Sequence, residues 1–162
     1  MRDIVLVTGG AGYIGAHVSK ALAARGYVPV IFDDFSSGHR AAVRWGAVVE
    51  GDIRDVATVD RTFRMFRPTA VVHLAGRIAV GESVVEPADY YDVNVRGLAT
   101  VLTAMRAHRV ADIVFSGSAS VYGVPDGSPI PEDAALRPES PYAFTKFAGE
   151  RILADFARAY GL

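Results

Sequence analysis

Short apolar runs alternate with longer segments of helical periodicity along this chain. Runs that are apolar on both faces are typical of strands in a parallel sheet that helices cover on both sides. The pattern predicts an α/β fold with a doubly wound parallel sheet, the Rossmann arrangement. The expected strands are DIVLVT (3–8), YVPVIF (27–32), AVVE (47–50), AVVHLA (70–75) and DIVFSG (112–117), and the expected helices cover 13–25, 56–66, 88–108 and 141–160.

Composition narrows the class of protein. The 162 residues make one domain's worth of chain, 51% hydrophobic and 22% charged, as in a folded globular protein. A net charge of −1 without a basic block argues against a nucleic-acid or membrane-surface partner. The chain has no cysteine for thiolate chemistry, and its 4 histidines show no metal-ligand spacing. With neither a signal peptide nor an apolar run of roughly 20 residues, a cytoplasmic location without a membrane partner is expected.

Three glycines lie where the first strand ends and the first helix begins, at Gly9, Gly12 and Gly15. A glycine-rich turn at this point lets the backbone approach a pyrophosphate, which the free N–H groups and dipole of the helix N-terminus stabilise. The spacing is G-x-x-G-x-x-G rather than the G-x-G-x-x-G of other dinucleotide-binding proteins. By itself it also fits a turn that only packs closely.

The second strand ends in Asp33 and Asp34, about 20 residues beyond the glycines. A carboxylate at this position accepts hydrogen bonds from both ribose hydroxyls and repels a 2′-phosphate. The sequence therefore predicts NAD rather than NADP as cofactor. The alternative, an aspartate that only begins the turn DFSSG, stays open for Asp34 and is weaker for Asp33.

The segment SPYAFTK (140–146) carries the candidate chemistry. Ser140 followed by Pro141 predicts a helix start, which places Tyr142 and Lys146 on one helical face. An ammonium group beside a phenol favours the phenolate, so the tyrosine can serve as general base. A tyrosine and lysine at this spacing also occur as an ordinary surface pair.

Two serines follow the fifth predicted strand, Ser116 and Ser118. Ligands of open parallel sheets bind beyond the carboxyl ends of the strands, so a hydroxyl there can share a substrate proton. Either serine can instead be a turn or capping hydroxyl. We favour Ser118 as the functional one.

Together these motifs resemble the extended short-chain dehydrogenase/reductases, and within them the UDP-glucose 4-epimerases, also called UDP-galactose 4-epimerases. The segments AVGESV and SASVYG carry the finer choice, because related sugar-nucleotide dehydratases have an acidic pair where Ala119 and Ser120 stand. The resemblance covers essentially the whole chain. Its motifs are TGGAGYIG (8–15), the two aspartates, GDIRD (51–55), HLAGRIAVGESV (73–84), YYDVNVRG (90–97), SGSASVYG (116–123) and SPYAFTK.

The resemblance implies epimerisation at C4 of a nucleotide-sugar by transient oxidation to the 4-keto sugar. Tyr142 is the expected base, Lys146 tunes its phenol, and Ser118 binds the same sugar oxygen. It also implies a homodimer through the helices at 88–108 and 141–160. The implied NAD contacts are Gly9, Gly12, Tyr13, Ile14, Gly15, Asp33, Ser37, Gly38, Asp52, Ile53, Leu74, Ala75, Gly76, Asn94, Ser116, Tyr142 and Lys146.

Several of these residues also have a purely structural interpretation. Asn94 can bridge helices, Asp52 can cap the helix after Ile53, and Ala75 is as easily a core residue. The family's phosphate-binding lysine position is occupied by Ile78 here, with Arg77 beside it. Arg77 is either its replacement or a solvated side chain.

The chain ends directly after the helix that carries Tyr142, whereas the family continues into further strands and a substrate domain. We therefore expect 1–162 to be the NAD-binding part of a longer enzyme, with the edge beside the fifth strand exposed. The alternatives are another nucleotide-sugar enzyme of the same superfamily, such as a decarboxylase or dehydratase, and a catalytically silent NAD-binding fragment.

Overall fold

A single parallel sheet organises the computed structural model, which describes residues 3–125 and 127–162. Met1, Arg2 and Asp126 of the expected domain lie outside the described residues. The strands are β1 (Ile4–Thr8), β2 (Val28–Asp33), β3 (Ala47–Glu50), β4 (Ala70–His73) and β5 (Asp112–Phe115). Their order in the sheet is β3-β2-β1-β4-β5, and every neighbouring pair is parallel.

Helices follow β1, β3, β4 and β5, as the periodicity predicted, whereas the segment between β2 and β3 holds only a 3₁₀ turn, Arg40–Ala42. The pattern at 88–108 is one helical stretch in which a π-helical segment, Tyr91–Arg96, lies between two α-helices. The short helix at Val80–Val85 was not predicted. The α-helices are α1 (Tyr13–Ala24), α2 (Val56–Phe66), α3 (Val80–Val85), α4 (Pro87–Tyr90), α5 (Gly97–Ala107) and α6 (Pro141–Tyr160). None of the helices in the described residues is long and apolar enough to cross a membrane.

Alternate residues of the strands face two different layers of helices. On one face, Leu6, Phe32 and Val71 form a core with side chains of α2 and α5, and α6 packs against it. On the other face, α1 covers β1 and β2, where Val7 and Ile31 are buried. Helices on both faces of a parallel sheet confirm the doubly wound fold.

Both edge strands of the sheet, β3 and β5, are partly exposed, and Val48 of β3 is 44% exposed. β5 is an edge strand, and its Val114 side chain is 63% exposed on the face that α1 covers near the centre of the sheet. This agrees with the expected exposure beside the fifth strand. The strand order reverses between β1 and β4, because the chain runs outward from β1 to β3 and then returns to β4. Ligands of such sheets bind at this switch point, beyond the carboxyl ends of the strands.

Candidate functional site

The glycine turn after β1 packs directly against the loop after β4. Gly9 has φ +70°, and a Cβ placed on it would lie 2.6 Å from the Ala75 nitrogen. The Leu74 N–H donates to the Thr8 carbonyl at 3.0 Å, which joins the two loops. The strand ends thus bring the predicted residues Gly9, Leu74 and Ala75 together at the switch point.

Gly12 and Gly15 differ in how closely the neighbouring atoms would approach a side chain at each position. A Cβ on Gly15 would lie 2.2 Å from the Gly9 carbonyl oxygen, so close packing of α1 on the turn demands glycine there. A Cβ on Gly12 would meet only that oxygen, at 3.4 Å, and otherwise open space. Packing therefore accounts for Gly15 and leaves Gly12 unexplained.

The N-terminus of α1 faces this open space. No side chain of the described residues caps it, and its first turn carries no acidic residue. Tyr13 and Ile14 are 82% and 59% exposed, so their side chains do not fill the space in front of the helix. The N–H groups of a first helical turn lack intrahelical partners and attract an anion.

Asp33 ends β2 and is buried at the edge of the glycine turn. Its carboxylate accepts from the Ala11 N–H at 2.9 Å and from the Phe35 N–H at 2.8 Å. Gly38 approaches closely, since a Cβ on it would lie 3.0 Å from Asp33 Oδ1. Asp34 instead is exposed and forms a turn with Ser36, whose N–H and hydroxyl donate to its carboxylate. The two aspartates therefore have different roles, and Asp33 is the one held at the site.

The predicted ribose residue Ser37 lies in a groove beside the turn. This groove has a volume of about 470 Å³ and runs between α1 and the segment after β2. Gly12, Tyr13 and Lys20 line its α1 side, and Trp45 lies opposite, with Lys20 Nζ 5.8 Å from the ring centre. The groove thus adjoins the glycine turn at Gly12.

Hydrogen bonds of the Asn94 side chain connect the loop after β4 to the helices that pack beside it. Its Oδ1 accepts from the Arg77 N–H at 2.8 Å, while its Nδ2 donates to the Arg77 carbonyl and to Thr145 Oγ1, both at 3.0 Å. A Cβ on Gly76 would lie 2.9 Å from Asn94 Oδ1. Asn94 therefore bridges a loop and a helix, which was one of the interpretations considered for it.

Asp52 lies in an ion-pair network beyond β3. Arg54 donates to its carboxylate through Nε at 2.9 Å and Nη2 at 2.5 Å, and reaches Asp92 through Nη1 at 2.8 Å. The Arg54 hydrogen bonds lower the pKa of Asp52. Asp52 does not cap α2, since Asp55 accepts from the N–H groups of the first turn. The buried neighbour Ile53 packs so tightly on Gly97 that a Cβ there would lie 2.5 Å from its Cδ1.

The helix start predicted at Ser140 is present, and α6 carries both candidate catalytic residues. Ser140 Oγ accepts from the Ala143 N–H at 3.1 Å. Lys146 is buried, and its Nζ donates to the Ser116 carbonyl at 3.0 Å, which connects α6 to the segment after β5. Burial lowers the pKa of Lys146. Tyr142 is half-buried one turn away, with its ring centre 5.9 Å from Lys146 Nζ.

Ser118 begins a short 3₁₀ turn, Ala119–Tyr122. Its hydroxyl lies 2.8 Å from Ser120 Oγ and accepts from the Ser120 N–H at 3.2 Å. The capping interpretation therefore describes one of its contacts. Ser118 also lies two residues beyond Ser116, on the segment that Lys146 contacts.

Sequence reasoning missed three residues that contact the predicted site residues. Thr145 is buried between Tyr142 and Lys146, and its hydroxyl donates to the Tyr142 carbonyl at 2.7 Å. Tyr90 is buried with its ring edge against Tyr142, at 6.5 Å between centres. Arg54 connects Asp52 to the π-helical segment, as described above. Their own motifs contained the signal, since Thr145 lies inside SPYAFTK, Tyr90 in YYDVNVRG and Arg54 in GDIRD.

Arg77 has protein partners in this structure. Its guanidinium forms ion pairs with Glu82 and Asp89, each at 3.2 Å. Ile78 is 73% exposed. Neither of the two interpretations of Arg77 included these carboxylates.

The predicted site residues fit a dinucleotide on two counts. The space in front of α1, which a Cβ on Gly12 would enter, suits a pyrophosphate. The Lys146 ammonium has three hydrogens and one acceptor, the Ser116 carbonyl, among the described residues. No group of acidic or histidine side chains in 3–125 and 127–162 is arranged to hold a metal ion.

Comparisons with known proteins agree with this fold. The UDP-glucose 4-epimerase of Rhizobium leguminosarum bv. trifolii is 47% identical over 154 residues, which are 95% of this chain and 47% of that protein. The crystal structure of UDP-glucose 4-epimerase from Brucella ovis in complex with NAD has 50% identity and a TM-score of 0.97, over 99% of this chain and 49% of its own. The structure of the Thermotoga maritima UDP-glucose 4-epimerase with UDP-glucose has 36% identity and a TM-score of 0.95, over 98% and 52%.

The chain spans about half the length of these relatives. The resemblance stated from the motifs is confirmed. A family model described as the NAD dependent epimerase/dehydratase family matches residues 5–162. Its dependence on NAD agrees with the cofactor expected from the glycine turn and Asp33. By this match, the chain belongs to the NAD dependent epimerase/dehydratase family.

Proposed function

We propose that this chain is the NAD-binding part of an enzyme that interconverts UDP-glucose and UDP-galactose by epimerisation at C4. The observation that carries the proposal is the placement of Tyr142 and Lys146 on α6. The Lys146 ammonium reaches the Ser116 carbonyl at 3.0 Å, on the segment that leaves the carboxyl end of β5. Tyr142, the general base, and its charged neighbour Lys146 thus lie at the carboxyl ends of the strands, where the glycine turn also lies.

Tyr142 removes the proton of the sugar 4-hydroxyl and later returns it to the same oxygen. Lys146, buried and bonded to a neutral carbonyl, supplies a positive charge that favours the phenolate. Ser118 hydrogen-bonds the sugar oxygen. When bound, NAD supplies a reversible hydride acceptor for C4, so the cycle has no net redox change.

The cofactor would be held along the switch point of the sheet. The α1 N-terminus and Gly12 would bind the pyrophosphate, and Asp33 would accept hydrogen bonds from the adenosine ribose. The remaining proposed contacts are Gly9, Tyr13, Ile14, Gly15, Ser37, Gly38, Asp52, Ile53, Leu74, Ala75, Gly76, Asn94, Ser116, Tyr142 and Lys146.

A chimeric enzyme tests the activity, because the relatives are about twice as long as this chain. The matching half of the Brucella ovis UDP-glucose 4-epimerase is replaced by this chain, and conversion of UDP-galactose is measured. We expect turnover, with Tyr142→Phe reducing it at least about a thousandfold while NAD stays bound. A chimera that binds NAD and UDP-galactose without converting them would favour a silent NAD-binding module. Turnover retained by Tyr142→Phe would remove Tyr142 as the base.

Another nucleotide-sugar reaction is the second candidate within the family. The acidic pair of the dehydratases is replaced here by Ala119 and Ser120. The same chimera, supplied with UDP-glucose, would reveal a dehydratase by loss of water from the sugar. We expect no such product.

We also propose that the complete enzyme is a homodimer through α5, α6 and the helical segment before α5. Tyr91 and Phe144 are 41% and 45% exposed with ring centres 6.1 Å apart, and Phe147 lies 6.1 Å from Phe144. Exposed aromatic clusters of this kind support a partner surface. Native mass spectrometry of the chimera, with Phe144→Glu as the disrupted variant, distinguishes dimer from monomer.

A further inference from the structure

A second cleft lies at the amino ends of the strands, where β4 and β5 begin, at the opposite end of the sheet from the glycine turn. It is formed by the segments that follow α2 and α5, and its volume is about 600 Å³, within the range of small-molecule sites. Three arginines and one histidine line it, and no acidic side chain of the described residues does. The lining residues of this arginine cleft are Phe63, Arg64, Arg67, Pro68, Thr69, His108, Arg109 and Val110.

Two of its arginines occupy left-handed backbone positions just after a helix. Arg67 has φ +49° and Arg109 has φ +59°. Glycine is usual at such positions, because a Cβ disfavours this conformation. The backbone already completes both helix ends: the Arg67 N–H donates to the Phe63 carbonyl at 2.9 Å, and the Val110 N–H to the Met105 carbonyl at 2.9 Å. The arginine side chains are therefore not required as caps.

The cleft carries more positive than negative charge. Asp60 is the carboxylate beside it, and it forms an ion pair with Arg64 and accepts from His108 Nε2 at 2.8 Å. Neither Arg67 nor Arg109 forms an ion pair or a side-chain hydrogen bond within the described part of the chain. Two guanidinium groups are thus available to a ligand.

The floor of the cleft is apolar. Phe63, Pro68 and Val110 are buried, and the His108 ring stacks on Phe63 with 5.6 Å between ring centres. A guanidinium group binds a phosphate through two parallel hydrogen bonds, and a flat apolar floor accepts the carbon skeleton that bears the phosphate.

We propose that the arginine cleft binds a small molecule that bears a phosphate or pyrophosphate group, with Arg67 and Arg109 as its anion ligands. This site is separate from the proposed cofactor site, because the cleft lies at the amino ends of the strands and the proposed cofactor site lies at their carboxyl ends. It does not depend on the proposed function.

Glycine substitutions give the sharpest test. The double variant Arg67→Gly, Arg109→Gly removes both charges and places the residue that suits a left-handed φ, so we expect the unliganded Tm to rise. With NAD at a saturating concentration, so that the proposed cofactor site is filled, isothermal titration of this chain with inorganic pyrophosphate should show binding to the unmodified protein and at least about tenfold weaker binding to the variant, as expected for lost charge-assisted hydrogen bonds.

Matched charge changes elsewhere separate a site from general attraction. Arg25→Gln with Arg151→Gln removes two exposed charges outside the cleft, and we expect it to leave pyrophosphate binding unchanged. Asp60→Asn should strengthen binding, because it removes the carboxylate beside the cleft. Equal weakening by the two double variants, or no pyrophosphate binding by the unmodified protein, would overturn the proposal. NAD binding, measured on the same samples, should be the same in all of them.

Discussion

Asn94 Nδ2 donates a hydrogen bond to Thr145 Oγ1 at 3.0 Å in the protein interior. The bond joins the π-helical segment to α6 at the residue before Lys146, three residues after Tyr142. Asn94 also holds both backbone groups of Arg77, so one side chain positions the loop after β4 and α6. π-helical segments recur at functional sites, and this one carries Asn94 to the centre of the candidate site.

Loss of this bridge should destabilise the fold. Asn94→Ala leaves two part-buried backbone groups of Arg77 and the Thr145 hydroxyl with fewer partners, and we expect a loss of about 3 kcal/mol in the free energy of unfolding. The variant Thr145→Val should lower the free energy of unfolding by about 1–2 kcal/mol. The control is Thr103→Val. The exposed Thr103 hydroxyl makes a similar bond to the Ala99 carbonyl, and its loss should change the free energy of unfolding by less than about 0.5 kcal/mol. Urea unfolding measures all three, and equal losses for the two threonine variants would contradict a special role for Thr145.

Gly12 and Gly15 should separate ligand binding from folding. Gly15→Ala places a Cβ 2.2 Å from a backbone oxygen, so we expect a loss of about 3 kcal/mol, more than the roughly 1 kcal/mol that alanine gains in a helix. Gly12→Ala meets no such contact and should unfold like the unmodified chain. It should nevertheless weaken NAD binding at least about tenfold, because its methyl group enters the space in front of α1. Unchanged NAD affinity would show that the pyrophosphate does not lie there.

The two aspartates after β2 offer a matched pair for cofactor choice. Asp33→Asn should weaken NAD binding at least about tenfold and NADP binding less, because it removes the charge that repels a 2′-phosphate. Asp34→Asn alters only an exposed turn and should change neither affinity by more than about twofold. Titration calorimetry with both dinucleotides checks this. Equal losses for NAD and NADP in the Asp33 variant would place the ribose elsewhere.

His73 should make stability depend on pH. Its burial, and next the charge of Lys146, lower the pKa of the imidazole to about 3, and its Nδ1 lies 2.8 Å from Thr8 Oγ1. The unfolded chain binds this proton below about pH 6.5, whereas the folded chain does so only near pH 3. Folding therefore loses stability as the pH falls from about 6.5 to about 3, by up to about 1.4 kcal/mol per pH unit.

The variant His73→Asn removes this titration. It should be less stable than the unmodified protein at pH 8, because it leaves a cavity, but its stability should fall less steeply between pH 6 and 4. Denaturant unfolding at several pH values gives both slopes. Parallel slopes would mean that His73 is protonated in the folded protein as well.

Local features of this protein follow from the sequence alone. The strands are short and apolar on both faces, so their positions follow from periodicity, and β3, for example, lies where the run AVVE predicted it. Ser140 and Pro141 act within their own helical turn, so the start of α6 could be predicted. The turn interpretation left open for Asp34 could not be decided in this way, because both aspartates have the same chemistry, and only the hydrogen bonds from Ser36 show that Asp34 forms the turn.

Tertiary structure decides what depends on residues far apart in the chain. The sequence contains Gly9, Lys146 and Arg54 in recognisable motifs, but their contacts are with Ala75, with Ser116 and with Asp92, tens of residues away. The order of the strands, the burial of the Lys146 ammonium and the placement of Arg67 and Arg109 in one cleft arise only when the sheet assembles. Periodicity and capping act over one or two turns, whereas charge environment and steric contact depend on distance in space.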